Sequence, residues 1–235
     1  MRIHRFFIEN NSFKKGLLEY KDKEFLNQIR NVLRLKAGNK ILLFNGKMDE
    51  ADAEIVEIKK DFIKLKILKI EKNSKELKTK VILYCSILKH QNFDIVVQKA
   101  TEIGINEIFP IISKRTVKLH IQEKRLKKII KEAAEQSGRV CLPVLHDVLN
   151  MDEAIKNAAQ NKINLIFDKS GDDFKKLNNG LFNDIGIFIG PEGGWSEDER
   201  KSFKENNFKI VNLGKLTLRA ETAAIVASYL TVNYF

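Results

Sequence analysis

Ile185-Gly-Ile-Phe-Ile-Gly-Pro-Glu-Gly-Gly-Trp-Ser196 is an apolar run that empties into a loop bearing three glycines and a proline. A second run, Ile210-Val-Asn-Leu213, leads into Gly214-Lys-Leu-Thr-Leu-Arg-Ala-Glu-Thr-Ala223. Each reads as a buried strand whose carboxyl end opens into a Gly-containing loop and then a helix. In open α/β sheets ligands bind beyond the carboxyl ends of the strands. Two such loops so close in sequence predict one small-molecule site.

The first loop is read further from its end. Ser196-Glu-Asp-Glu199 is a capping box, so a helix starts directly after Gly193 and Gly194. Glycine lets backbone approach a ligand and take positive φ, and Pro191 stiffens the turn. A plain strand-to-helix turn needs one glycine; three of them around Pro191-Glu192, beside a Trp195 that reads as exposed, favour a ligand loop. Neither G-x-G-x-x-G nor G-x-x-x-x-G-K-[ST] occurs, which counts against Rossmann and P-loop folds. There is no G-x-S-x-G elbow. His4, His90, His120 and His146 are too scattered for metal spacing, so no metal is expected.

Working outward, strands and helices alternate from Val81 onward. Strands are expected at Val81–Leu88, Ile108–Ile112, Val144, Asn164–Phe167, 185–189 and 210–213. Helices are expected over Asn92–Ile103, capped by Gly104, and over Glu123–Ser137. This predicts an α/β fold with a largely parallel sheet covered on both faces. Residues 1–72 are strand-rich. Phe62–Ile70 mostly alternates apolar and basic, Ile41–Phe44 and Ala53–Ile58 flank the turn signal Asn45-Gly46, and a helix from about Asp22 to Lys36 puts Phe25, Ile29, Val32 and Leu33 on one face. Together they predict a small β-barrel-like module. The polar stretch 73–80 reads as a linker, which leaves 81–235 as the second domain.

The chain has 235 residues, 43% apolar and 31% charged, as expected of a packed soluble protein. Forty-two Lys and Arg against 31 Asp and Glu leave a net charge of +11, which favours a polyanionic partner, nucleic acid ahead of membrane. The lysines are scattered, so a generally basic surface is the competing reading. Cys85 and Cys141, both among apolar neighbours, predict buried thiols in a reducing cytoplasm. No run approaches the roughly 18 apolar residues of a membrane span.

Some polar residues resist a purely structural reading. Arg219 stands at the entrance of the last helix, against its dipole, which suggests that negative charge faces it. Glu221 in the first turn would complement that dipole. Lys99 and Glu102 are three apart and can pair on one helix face. Glu135, Gln136 and Arg139 end another helix, and the two clusters suggest a polar rim around a shared site.

His4-Arg-Phe-Phe7, Val32-Leu-Arg-Leu35, Gln98-Lys-Ala-Thr-Glu-Ile-Gly104, Glu132-Ala-Ala-Glu-Gln-Ser-Gly-Arg139, Gly190–Gly194 and Leu213–Ala223 occur in an order that spans the chain. Together they resemble the ribosomal RNA small-subunit methyltransferase E family of SPOUT-class enzymes, which methylate N3 of a uridine in 16S rRNA. The last two motifs are the most specific. Gln28 and Asn45 stand where that family often has His and Asp. The resemblance implies a SPOUT α/β domain with a deep trefoil knot, a rare exception to unknotted topology. It further implies a PUA-like N-terminal barrel, a homodimer with the site at its interface, and S-adenosylmethionine as cofactor. The implied cofactor pocket comprises Phe167, Ile189, Gly190, Pro191, Glu192, Gly193, Gly194, Leu213, Gly214, Leu216, Thr217 and Leu218. Arg219 would stabilise charge on the uracil oxygens, and Glu102 or Glu221 would serve as base. Arg2, Arg5, Arg30 and Arg34 are candidates for phosphate contacts. A non-catalytic ribosome-assembly factor on the same scaffold, or an enzyme for another RNA, are the alternatives.

Overall fold

A computed structural model describes residues 3–9, 13–72, 79–89, 91–117, 120–177 and 182–235. The chain divides into two compact units. One comprises residues 1–76 with 134–142, and the other residues 77–133 with 143–235.

The first unit holds β1 (His4–Phe7), β2 (Gly16–Tyr20), α1 (Lys23–Asn27), β3 (Lys40–Phe44), β4 (Asp49–Ile58) and β5 (Ile63–Lys72). They form a five-stranded sheet in the order β1-β3-β4-β5-β2, with only the β1–β3 pair parallel. Phe6, Phe25, Ile29, Leu43, Ile55 and Leu65 are among the buried residues of its core. Alternation along β4 and β5 sends apolar residues inward and Lys or Glu outward.

The helix expected over 22–36 is shorter. α1 is capped by the Asp22 carboxylate, which accepts from the backbone N–H of Phe25, and at Gln28 it widens into a π-helical turn through Val32. The wider winding carries Val32 out to 65% exposure, off the face shared by Phe25 and Ile29. At the expected turn, the Asn45 side-chain carbonyl accepts from the N–H groups of Lys47 and Asp49. Asn45 therefore performs the local turn bonding that Asp would perform.

The end of the third long helix, expected to face the Lys99–Glu102 cluster, joins this first unit. Glu135 accepts from the backbone N–H of Phe7 at 3.0 Å and from the Gln28 amide at 3.5 Å. Ala134 and Val140 pack with Phe44.

The second unit carries β6 (Lys80–Ser86), α2 (Asn92–Ile103), β7 (Glu107–Ile112), most of α3 (Glu123–Ser137), β8 (Val144–Leu145), β9 (Leu149–Asn150), α4 (Met151–Ala158), β10 (Ile163–Asp173), β11 (Asp184–Ile189), α5 (Glu197–Glu205), β12 (Lys209–Asn212) and α6 (Ala220–Tyr234). The sheet runs β12-β10-β11-β6-β7-β8, with β9 also on β7, and every pairing is parallel. Val81–Ser86 and Ile185–Ile189 are buried throughout, the pattern of strands covered on both faces. On one side Phe188, Tyr84, Phe109 and His146 form a continuous aromatic stack. β10 is longer than expected. Its pairing with β12 skips from Phe167 to Asp172, so residues 168–171 bulge at the strand's carboxyl end.

Cys85 is fully buried, but Cys141 is only half-buried, so the second thiol departs from expectation. Among the described residues no helix is long and apolar enough to cross a membrane.

Candidate active site

The sheet order sets β10 between β12 and β11, and the registers place Phe167 beside both Ile189 and Val211. Three parallel strands thus end side by side. A cavity of about 640 Å³ opens beyond those ends. Its wall contains Phe167, Ile189, Gly190, Pro191, Glu192, Gly194, Leu213, Gly214, Leu216, Thr217 and Leu218, together with Arg219 and Glu221. Both Gly-containing loops therefore contribute to one cavity.

Local chemistry fixes the first loop. Trp195 is buried, contrary to its expected exposure, because its ring packs on Phe203 and lies under Gly190. A Cβ at Gly190 would come within 3.0 Å of the indole. The indole N–H donates to the Phe167 carbonyl at 3.3 Å, joining the loop to the end of β10. Arg200 reaches back from α5 to the Trp195 carbonyl at 2.7 Å and to Asp168. The Ser196–Glu199 capping box forms as the sequence predicts, and Glu199 also accepts from the backbone N–H of Lys114.

Gly193 stands outside the wall. Its carbonyl accepts from the Arg115 guanidinium at 2.7 Å, and the aliphatic stem of Arg115 covers its Cα. Glu192 accepts from the Lys89 backbone N–H at 2.9 Å, tying the loop to the turn after β6. Gly194 and Gly214 have φ of 68° and 125°, values that L side chains rarely adopt.

Arg219 is the N-cap residue of α6. Its side chain makes no capping bond and is exposed at the positive end of the helix, with Glu221 in the first turn. Glu102 lies on α2, outside the wall, paired with Lys99 at 2.8 Å. The wall also includes Lys89, Asn92, Asp168, Lys169 and Asn212, which no motif marked. Asp168 and Lys169 directly follow the β10 run, so the strand-end rule would have found them; Lys89 and Asn92 carry no such signal.

The cysteines offer no nucleophile here. Burial, assisted by the Glu192 carboxylate, pushes the Cys85 thiol far above its ordinary range. Among the described residues no group of three His, Cys, Asp or Glu is arranged to hold a metal.

The expected RNA contacts are dispersed in the first unit. Arg5 is half-buried, paired with Glu50, and donates to the carbonyls of Gly138 and Arg139. Arg30 is exposed and donates to the Lys59 carbonyl. Arg34 is exposed with φ of 53°. Arg2 lies outside the described residues, as do His90 and the linker positions 73–78.

A parallel sheet with this cavity at its strand ends, following a strand-rich basic unit, is the arrangement of an RNA methyltransferase. A family model described as an RNA methyltransferase domain matches residues 75–231, and one described as an RNA methyltransferase PUA domain matches residues 29–68. The ribosomal RNA small subunit methyltransferase E of Rickettsia conorii is 31% identical over 97% of this chain and 94% of its own length. That of Mesomycoplasma hyopneumoniae is 34% identical over 95% and 96%. The chain belongs to the ribosomal RNA small subunit methyltransferase E family. Among solved structures, the Neisseria gonorrhoeae enzyme of that name bound to S-adenosyl methionine superposes with a TM-score of 0.88 at 28% identity, covering 97% of this chain and 95% of that one. A Legionella pneumophila methyltransferase in complex with the same cofactor gives 0.89 at 29%, covering 98% and 97%.

Proposed function

We propose that this protein transfers the methyl group of S-adenosylmethionine to N3 of a uridine in 16S rRNA of the small ribosomal subunit. The observation that carries this reading is the convergence of both Gly-containing loops on one cavity with Arg219 in its wall. The lining fits the cofactor. Leu213, Leu216 and Leu218 offer apolar surface to a purine, the two loops offer backbone donors and acceptors, and Asp168, Glu192 and Glu221 suit a cationic ligand. The cofactor residues would be Phe167, Ile189 to Gly194, Leu213, Gly214 and Leu216 to Leu218, with Gly193 acting through its bond to Arg115. When bound, S-adenosylmethionine supplies an electrophilic methyl group carried on a sulfonium.

The chain's own residues must handle the uracil. N3 carries a proton that leaves before or during attack, and the pair left behind spreads onto the ring oxygens. Arg219 is the cation that would meet that charge. Glu221, two residues on and in the same wall, would take the proton, directly or through water. Glu102 remains the alternative that a site shared between two subunits would bring in. Holding base and cofactor in line supplies much of the rate, and the target base must be unstacked to enter.

The wider reading is a cytoplasmic homodimer built from an N-terminal PUA-like barrel over 1–72, a linker over 73–80 and a SPOUT domain over 81–235 whose end threads a deep trefoil knot. Exposed Ile95 on α2 and Tyr229 on α6, in two helices packed together, support a partner surface. Phosphate contacts fall to Arg30 and Arg34, with Arg2 and Arg5 at the same end of the chain.

Calorimetric titration with S-adenosylmethionine, followed by methyl transfer to small subunits that lack the modification, tests the reading. Saturable binding and one modified uridine are expected. A folded protein that binds RNA but neither binds the cofactor nor transfers methyl would replace it with the assembly-factor reading.

A further inference from the structure

The cavity wall holds three cations, Lys89, Lys169 and Arg219. Two of them have a task. Arg219 meets the charge that develops on the uracil, and Lys169 Nζ donates to the Thr217 hydroxyl at 3.2 Å, tying the β10 bulge to the loop after β12. Lys89 is held by its backbone alone. Its N–H donates to the Glu192 carboxylate at 2.9 Å, and its carbonyl accepts from the Asn92 N–H at 3.1 Å. The exposed ammonium has no hydrogen-bond or ion-pair partner among the described residues. Lys89 also stands in the turn that joins β6 to α2, the two elements on which α6 packs. A fixed backbone therefore presents a free cation to the same cavity that Arg219 enters from the start of α6.

The uracil offers work for a second cation. Loss of the N3 proton leaves charge on two ring carbonyl oxygens, which flank N3 on opposite sides. The methyl carbon has to reach N3 between them, in line with the lone pair. A guanidinium spanning both oxygens would block that path, so Arg219 can serve one of them and the other is left for a separate donor.

We infer that Lys89 is a second catalytic cation, whose ammonium donates to one uracil carbonyl oxygen while Arg219 serves the other. The N3–H bond breaks with its electron pair left on the ring and its proton passing to a carboxylate or water. That pair then forms the N3–C bond as the S–C bond breaks toward sulfur. The inference deepens the uridine-N3 reading and rests on it.

The test is single-turnover methyl transfer by wild type, Lys89→Met and Lys89→Arg at saturating cofactor and subunits. The substrates are small subunits assembled from 16S rRNA transcribed with uridine or with 5-fluorouridine. Lys89→Met keeps the backbone bonds and most of the side-chain length. It should lower the rate on uridine by roughly 10²- to 10³-fold, the usual loss for one such donor. Calorimetric S-adenosylmethionine affinity and melting temperature should stay at wild-type values. Fluorine makes N3 more acidic, so its anion needs less help and the loss should shrink by roughly tenfold or more. Lys89→Arg should recover part of the rate. An equal loss on the two substrates, a near-wild-type rate on uridine, or a fall in cofactor affinity that accounts for the loss would overturn the inference. Wild type that transfers no methyl to N3 would overturn the uridine reading itself, and this inference with it.

Discussion

Trp195 Nε1 donates to the Phe167 carbonyl at 3.3 Å, so one buried indole joins the end of β10 to the loop after β11. Both residues line the cavity, and the bond fixes the spacing of two of its walls. Trp195→Phe keeps most of the apolar volume and leaves that carbonyl without the indole donor. An unsatisfied group and a partial void together cost roughly 1–3 kcal/mol. We expect a lower melting temperature and weaker S-adenosylmethionine binding, with RNA affinity unchanged. Wild-type cofactor affinity in this variant would show that the bond does not shape the cavity.

Gly171 sits where β10 bulges against β12. A Cβ there would lie 2.4 Å from the Val211 nitrogen and 2.5 Å from the Ile210 carbonyl carbon. Backbone on the receiving side cannot rotate away as a side chain would. Gly171→Ala should therefore cost roughly 3 kcal/mol, the upper end for overpacking. Gly38→Ala, in open space with φ of +88°, carries only the left-handed penalty of about 1 kcal/mol. Chemical denaturation of both variants gives the comparison, and equal costs would show that the sheet yields at Gly171.

The features legible in the sequence were the local ones. The Ser196–Glu199 capping box, the Gly104 cap of α2 and the two strand–loop–helix passages each depend on neighbours within a few residues. What the sequence concealed depends on distant partners. Trp195 is buried because Phe203 and Gly190 close on it, which its polar neighbours in the chain do not announce. Composition groups Glu135 with Lys99 and Glu102, whereas it accepts from Phe7 and Gln28, more than a hundred residues away. α4, capped by Asn150 and Glu153, buries Ala154, Ile155 and Ala158 on one face, but at eight residues it offers only two turns of pattern to read. The wall residues Lys89 and Asn92 reach the cavity through the fold of the turn after β6.

At the opposite end of the sheet, Glu107 bridges Lys80 and His146. Burial opposes ionisation of its carboxyl, but the Lys80 ammonium and the hydrogen bond with His146 outweigh it and hold the group below its ordinary value of 4.5. A folded-state value below the unfolded one means that the carboxylate adds stability above about pH 4.5, and that this stability is lost as pH falls through the folded value. Glu107→Gln should cost roughly 1–2 kcal/mol at neutral pH. Denaturation at pH 7, 5 and 4 should show the gap from wild type narrowing toward acid. A gap independent of pH would mean that packing of the Phe109–His146 stack, rather than charge, carries the effect.

The last prediction concerns Arg219, whose exposed guanidinium stands at the positive end of α6 without capping it. A cation placed there works against the helix dipole, an arrangement that suits negative charge developing in front of it. Removing one such donor typically lowers turnover 10²- to 10³-fold. On the proposed mechanism that charge arises only as the N3 proton leaves, so Arg219→Ala should lower kcat by about this factor while calorimetric cofactor affinity and thermal stability stay within about twofold and 0.5 kcal/mol of wild type. Arg219→Lys, which keeps the charge but loses the planar fork, should recover part of the rate. The assay is single-turnover methyl transfer to unmodified small subunits at saturating cofactor. If Arg219→Ala weakens cofactor binding as much as it slows transfer, the residue belongs to the cofactor pocket and another group must stabilise the uracil oxygens.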